Sequence, residues 1–152
     1  DRQSSVRKWQ STFLMELIMV DVKSLSSRWS PRLLSVMRIV TGFLFIPHGS
    51  QKLFSFPDTS KAAVEWFSLM GLAGALEFFG GLFILFGMFT RPVAFLLSGQ
   101  MAFAYFMAHA SKDFWPILNR GELAVFYCFV FLYLVAAGGG AWSLDRLFKR
   151  HA

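Results

Sequence analysis

The sequence predicts an all-α membrane protein, an antiparallel four-transmembrane-helix bundle with both termini cytoplasmic, and three observations lead to it. Hydrophobic residues fill 55% of the 152 positions, against 16% charged and 18% aromatic. With a mean hydropathy of +0.50, the chain is more apolar than soluble domains of its size. Four apolar runs approach about 20 residues, the length that carries a helix across the roughly 30 Å hydrocarbon core. The basic residues, finally, are distributed unevenly between the two ends of those runs.

In chain order, residues 1–30 form an extension of different character. "WQSTFLMELIMV" sets Trp9, Phe13, Leu17 and Val20 at helical spacing, but its apolar run is short and includes Glu16. It lacks the small-x-small site of a signal peptide. An amphipathic interfacial helix, or a docking segment for a partner, fits it best. Residues 31–145 carry the four spans: Leu33 to Phe54, Leu69 to Phe89, Pro92 to Ala110 and Leu123 to Trp142. Ser30 before Pro31 predicts an N-cap with proline at the first helical position, and Thr90 is expected to cap the helix that Pro92 opens. Gly71, Gly74, Gly80, Gly81 and Gly87 give the second span a small-residue surface, which lets helices approach closely in lipid and predicts a central packing role. "AGGGAW" stops the fourth span. Residues 146–152 form a basic cytoplasmic tail.

Topology follows from charge. Arg2, Arg7, Lys8, Lys23, Arg28, Arg32, Arg91, Arg146, Lys149 and Arg150 fall on the side of the termini, and only Lys52, Lys61, Lys112 and Arg120 on the other. The positive-inside rule then makes the termini cytoplasmic. The net charge of +6 flanks spans instead of forming a basic stripe, so it points to anionic headgroups and the lipid bilayer and not to nucleic acid.

Chemistry is expected where ionisable groups enter the hydrocarbon, since each is costly there unless paired, hydrated or functional. "FLFIPHGSQKLF" places Pro47, His48, Gln51 and Lys52 at the outer end of the first span. At 100° per residue Arg38, Thr41, Phe45, His48 and Lys52 form one stripe. With about 1.5 Å rise per residue, His48 and Glu77 lie at similar depths, roughly 9 and 12 Å below the outer ends of their helices. His48, Gln51, Lys52, Glu77, His109, Trp115, Asn119 and Glu122 are therefore the candidate ligand-binding or proton-handling residues. Arg38 and Glu77 are the structural intramembrane charges, with an Arg38–Glu77 pair between helices as one arrangement. Gln100 lies half a turn from His109 and is excluded. Simpler roles compete: Asn119 and Glu122 have capping-box spacing, and Lys52 suits snorkelling to the headgroups.

The single Cys128 provides no C-x-x-C, haem-attachment or iron–sulfur pattern, and no sequence-local ligand pair supports a metal. The residues assign no catalytic group.

"MRIVTGFLFIPHGSQKLF", "GLAGALEFFGGLFILFGMFTRP", "AYFMAHASKDFWPILNRGELAVFYCFVFLYL" and "WSLD" occur in order from Leu33 to Asp145. They resemble the DoxX family of small bacterial membrane proteins. The resemblance implies a four-helix protein of the bacterial cytoplasmic (inner) membrane, associated with a membrane redox complex, since the family takes its name from a subunit of a thiosulfate:quinone oxidoreductase. The leading expectation is an accessory subunit that binds a quinone or similar lipophilic small molecule, with His48 and Glu77 on the carbonyl, Lys52 and Arg38 tuning their charge, and Trp115 over the ring. The alternatives are a purely structural or assembly subunit of a larger membrane complex and a small proton-coupled carrier.

Overall fold

The computed structural model describes the backbone of residues 2–151, and side chains at Met15, Met19 and 23–148. The described chain is all-helical: α1 (Arg2–Phe54), α2 (Leu69–Phe86), α3 (Thr90–Ala108), the short α4 (Pro116–Asn119), α5 (Glu122–Ala137) and α6 (Leu144–His151). Within α1, Lys23–Phe54 is long and apolar enough to cross a membrane, as is Leu69–Phe86. The expected amphipathic set Trp9, Phe13, Leu17 and Val20 lies outside the described side chains.

Ser30 and Pro31 do not start a helix; α1 runs through both. The serines upstream bond backwards into the helix instead of capping a new one, with Ser27 donating to the Ser24 carbonyl at 2.9 Å. The Pro31 carbonyl, in turn, accepts the Ser35 hydroxyl and the Ala141 amide, both at 2.9 Å. A Ser-Pro pair signals a helix start only where the chain before it is not already helical.

Packing is organised by α2, which lies chiefly along α1, while α3 lies along α5. The contact depends on glycine, but also on two glycines of α1. A Cβ on Gly42 would stand 2.6 Å from the Leu85 amide nitrogen and 2.9 Å from the Gly81 carbonyl, and one on Gly49 2.6 Å from the Gly74 carbonyl. Backbone therefore lies against backbone. Phe45, Ile84, Leu97, Met101, Tyr127, Phe131 and Leu134 fill the centre.

Polar groups close one end. Arg38, fully buried, donates from Nε to the Gly139 carbonyl (2.8 Å), from Nη1 to those of Ile84 and Leu85 (2.5 Å each) and from Nη2 to that of Trp142 (2.7 Å). These carbonyls belong to the end of α2 and the glycine loop after α5, where helix termini leave carbonyls short of backbone partners; that of Ile84 also accepts the Gly87 amide. Arg38 thus ties three segments together and does not pair with Glu77. Thr90 does not cap α3 either. The N-cap residue is Phe89, in the left-handed region at φ 49°, and the Asp145 carboxylate accepts the Phe89 and Thr90 amides at 2.7 and 2.9 Å. A carboxylate from α6's first turn replaces the local hydroxyl, favoured by its charge at a helix N-terminus. Gly138, at φ 78°, ends α5 as expected.

The outward surface carries Phe43, Leu44, Phe79, Phe86, Phe95, Leu96, Phe103 and Phe126, whereas Arg38, Glu77, Thr90 and Asn119 are buried. This inside-out distribution suits hydrocarbon, not water.

Gly49→Ala is expected to lower stability by about 1–3 kcal/mol, because the backbone it meets yields little. Gly99, with nothing near its Cβ position, should tolerate alanine or gain up to about 1 kcal/mol from helix propensity; thermal unfolding in one detergent compares the two. Asp145→Ala should cost about 1 kcal/mol in the same assay by uncapping α3.

Candidate functional site

At the end opposite Arg38, a cavity of about 230 Å³ lies among α1, α2, α3 and α5, lined by polar groups of His48, Lys52, Glu77, His109, Arg120 and Tyr127 against Phe45, Met101 and Ala104. Its one acidic group is the Glu77 carboxylate, only 4% exposed. Oε2 takes the Lys52 ammonium, and Oε1 accepts the Gln100 amide at 3.2 Å. Gln100 also donates to the Ala73 carbonyl at 3.1 Å.

Two expectations change here. Lys52, with a side chain 26% exposed, turns inward to Glu77 instead of snorkelling, since Gly74 lets its stem lie directly against α2. Gln100 belongs to the site through its bond to Glu77, although its angle from His109 argues for leaving it out. The two residues share an axis but face different neighbours: Gln100 addresses α2, His109 the loop before α5.

His48 sits at the mouth and is exposed, with its ring 6.0 Å from that of Tyr127, edge to face, and 6.3 Å from that of Phe45. It makes no hydrogen bond to a described residue. His109 places Nδ1 2.9 Å from the Asn119 carbonyl. That oxygen only accepts, so Nδ1 carries the proton and Nε2 remains the free ring nitrogen.

The remaining candidates do not converge. Gln51 holds the loop after α1, donating to the Asp58 carbonyl at 2.8 Å and accepting its amide at 3.0 Å. The hydroxyl and amide of Ser60, at 2.6 and 3.0 Å, hold the Asp58 carboxyl below the usual carboxylate range. Trp115 is 61% exposed and packs edge to face on Phe114, so it covers nothing in the cavity. Asn119 is buried as a structural hub: its amide donates to the Asp113 carbonyl at 2.8 Å, and its side-chain oxygen accepts Gly121 N–H at 2.8 Å. The Asn119–Glu122 capping box is not formed, because Gly121 is the N-cap of α5 and no side chain caps it. Glu122 instead lines a separate apolar cleft with Met37, Val125 and Phe129.

Sequence reasoning missed Tyr127 and Arg120 as lining groups. Tyr127 had one signal: Ala124, Tyr127, Phe131 and Leu134 recur at three- and four-residue spacing and are the buried face of α5. Arg120 follows α4 in a left-handed conformation, φ 59°, which no helical periodicity reveals. Among the described residues no three His, Cys, Asp or Glu side chains group as metal ligands; the arrangement supplies hydrogen-bond donors around one paired carboxylate.

A helical chain that buries Arg38 and Glu77 between its helices, faces many of its phenylalanines outward and joins helices through glycine is a membrane protein. This one belongs to the DoxX family, whose model matches residues 33–110. It is 40% identical over 126 residues to an uncharacterized protein of Haemophilus influenzae, covering 80% of this chain and 94% of that protein. It is 32% identical over 124 residues to the inner membrane protein YqjF of Escherichia coli, covering 76% and 91%. Family and relative together point to the bacterial inner membrane. No solved structure matches.

Because Lys52 and Glu77 neutralise each other, Lys52→Met alone should destabilise the protein by about 2 kcal/mol, leaving a carboxylate unpaired. The Lys52→Met/Glu77→Gln pair should recover most of that loss; a double-mutant cycle by thermal unfolding measures the coupling.

Proposed function

We propose that the chain is a multi-pass accessory protein of a quinone-linked membrane redox complex, and that its cavity holds the ring head of a quinone or a similar lipophilic carbonyl compound. In this reading α2, α3, α5 and the segment 33–54 of α1 all cross the bilayer, both termini are cytoplasmic, and residues 1–30 lie at the interface or dock on a partner subunit. The excess of arginine and lysine on the terminal side supports that orientation, and about 1.5 Å per residue gives α3 roughly 29 Å.

The observation that carries the ligand class is the cavity's size and chemistry. At about 230 Å³ it falls below the roughly 300–1,000 Å³ of sites that enclose a drug-sized ligand whole. It suits a ring whose tail stays in lipid. His48, Arg120 and Tyr127 are donors without hydrogen-bond partners among the described residues, and they line the cavity together with Phe45. Carbonyl oxygens accept from such groups. Family membership is what directs the partner towards a redox complex.

A short-tailed quinone titrated into the purified chain in lipid nanodiscs, followed by tryptophan fluorescence, should bind saturably with one site. His48→Ala should weaken it about tenfold, the effect of one lost hydrogen bond. Absence of saturable binding overturns the ligand assignment and leaves the Lys52–Glu77–Gln100 cluster as interhelical glue in an assembly subunit.

A further inference from the structure

The second polar concavity lies at the Arg38 end, between the start of α3 and the loop that follows α5. It is a groove of about 710 Å³. Two arginines stand over it, Arg91 from the first turn of α3 and Arg146 from the first turn of α6. Neither guanidinium has an ion pair or hydrogen bond to a described residue. The one carboxylate in the groove, Asp145, is committed to the Phe89 and Thr90 amides. The local charge is therefore positive and uncompensated.

Two further features point to what belongs there. Thr90 lines the groove fully buried, and its Oγ1 has no hydrogen-bond partner, which is costly for a hydroxyl away from water. The other wall is apolar, built by Leu34, Tyr133 and Phe148, and Tyr133 and Phe148 continue onto the exposed outer surface. Gly138 lines the groove beside Arg91 at φ 78°, a backbone conformation that favours glycine.

We propose that this groove binds the phosphate of one anionic phospholipid, with Arg91 and Arg146 gripping the phosphate oxygens and the Leu34–Tyr133–Phe148 wall receiving the first part of the acyl chains. Guanidinium groups match phosphate through paired N–H donors. The apolar wall favours a lipid headgroup over free inorganic phosphate, because a bare anion would leave that wall without a partner. The site is independent of the quinone assignment: it lies at the other end of the helices and shares no residue with that cavity.

The test uses the full chain reconstituted in phosphatidylcholine vesicles doped with phosphatidylglycerol, extracted gently and examined by native mass spectrometry. One phosphatidylglycerol per chain should be retained in preference to phosphatidylcholine. Arg91→Gln or Arg146→Gln should each reduce retention about fivefold, and the pair about 25-fold. Arg28→Gln, an exposed arginine outside the groove, should leave retention unchanged. The Arg91→Lys/Arg146→Lys pair keeps both charges and should keep most of the lipid, so it decides the matter if the glutamine pair misfolds. Equal retention of the two lipids by the wild type overturns the proposal, as does retention by the glutamine pair at the wild-type level. In a parallel arm with inorganic phosphate alone in detergent, phosphate binding that depends on the arginines while phosphatidylglycerol is not retained overturns the lipid assignment and makes this an anion site.

Discussion

Everything in the architecture depends on how closely α1 and α2 approach. Hydrocarbon gives apolar helices no reason to associate, so packing and backbone proximity must do it. Gly42 and Gly49 of α1 meet Gly81, Leu85, Gly74 and Phe78 of α2 along the backbone, seven residues apart on each helix. That spacing keeps one face in contact over two turns. The same approach sets Lys52 within reach of Glu77, so a steric feature of glycine determines an electrostatic one. A larger residue at Gly74 would meet the Lys52 and Leu53 side chains and move the ammonium away from its carboxylate.

The two ends of the helices treat their charges differently. At one end Arg38 spends its guanidinium donors on carbonyls of Ile84, Leu85, Gly139 and Trp142, and Gly87, at φ 68°, leaves room for it: a Cβ there would stand 2.8 Å from Cζ. A buried charge held by four backbone carbonyls serves position, not chemistry. At the other end the polar groups are only partly committed. Glu77 is held by Lys52 and Gln100, while His48 and Arg120 remain without hydrogen bonds to described residues. The contrast separates a structural polar cluster from one that has capacity left for a ligand.

How much of this the sequence revealed depends on what kind of information each feature needs. The second and third apolar runs, the glycine-rich second span and the stop at Gly138 are local patterns that match observed elements to within a few residues. The first run, by contrast, is only the end of a helix that begins at Arg2, and the fourth runs past the end of α5 at Ala137. His48 and Glu77 line one cavity, and the sequence offers a sign of it in their similar distances from helix ends, because rise per residue is a property of any helix. Partners were not. A helical wheel orders residues around their own axis but says nothing about which neighbour each face meets. Gln100 and Glu77 come together because α3 packs on α2 through Gly80, where a Cβ would strike Leu97, and that contact has no sequence-local sign. Arg38's partners are backbone carbonyls, as in the glycine loop 101 residues away, and backbone groups carry no residue label. Asp145 lies 55 residues from the amide of Thr90 that it caps, so the nearer Thr90 was the natural and mistaken choice.

Which ligand the open end can take follows from what its groups have left to give. Glu77, the one acidic side chain in the cavity lining, already accepts from Lys52 and Gln100. A cation would find its counter-charge taken, and a strong donor would compete with a buried ion pair. The lining groups without hydrogen bonds to described residues are His48, Arg120 and Tyr127, all capable of donating. His109, with its Nδ1 proton held by Asn119, presents only an acceptor nitrogen in its neutral form. In the quinone reading proposed above, several donors and one weak acceptor beside Phe45 would suit a flat molecule with acceptor oxygens. His48 lies at the exposed mouth, edge-on to Tyr127, which is why the proposed ligand reading gives it the first contact with an entering ring.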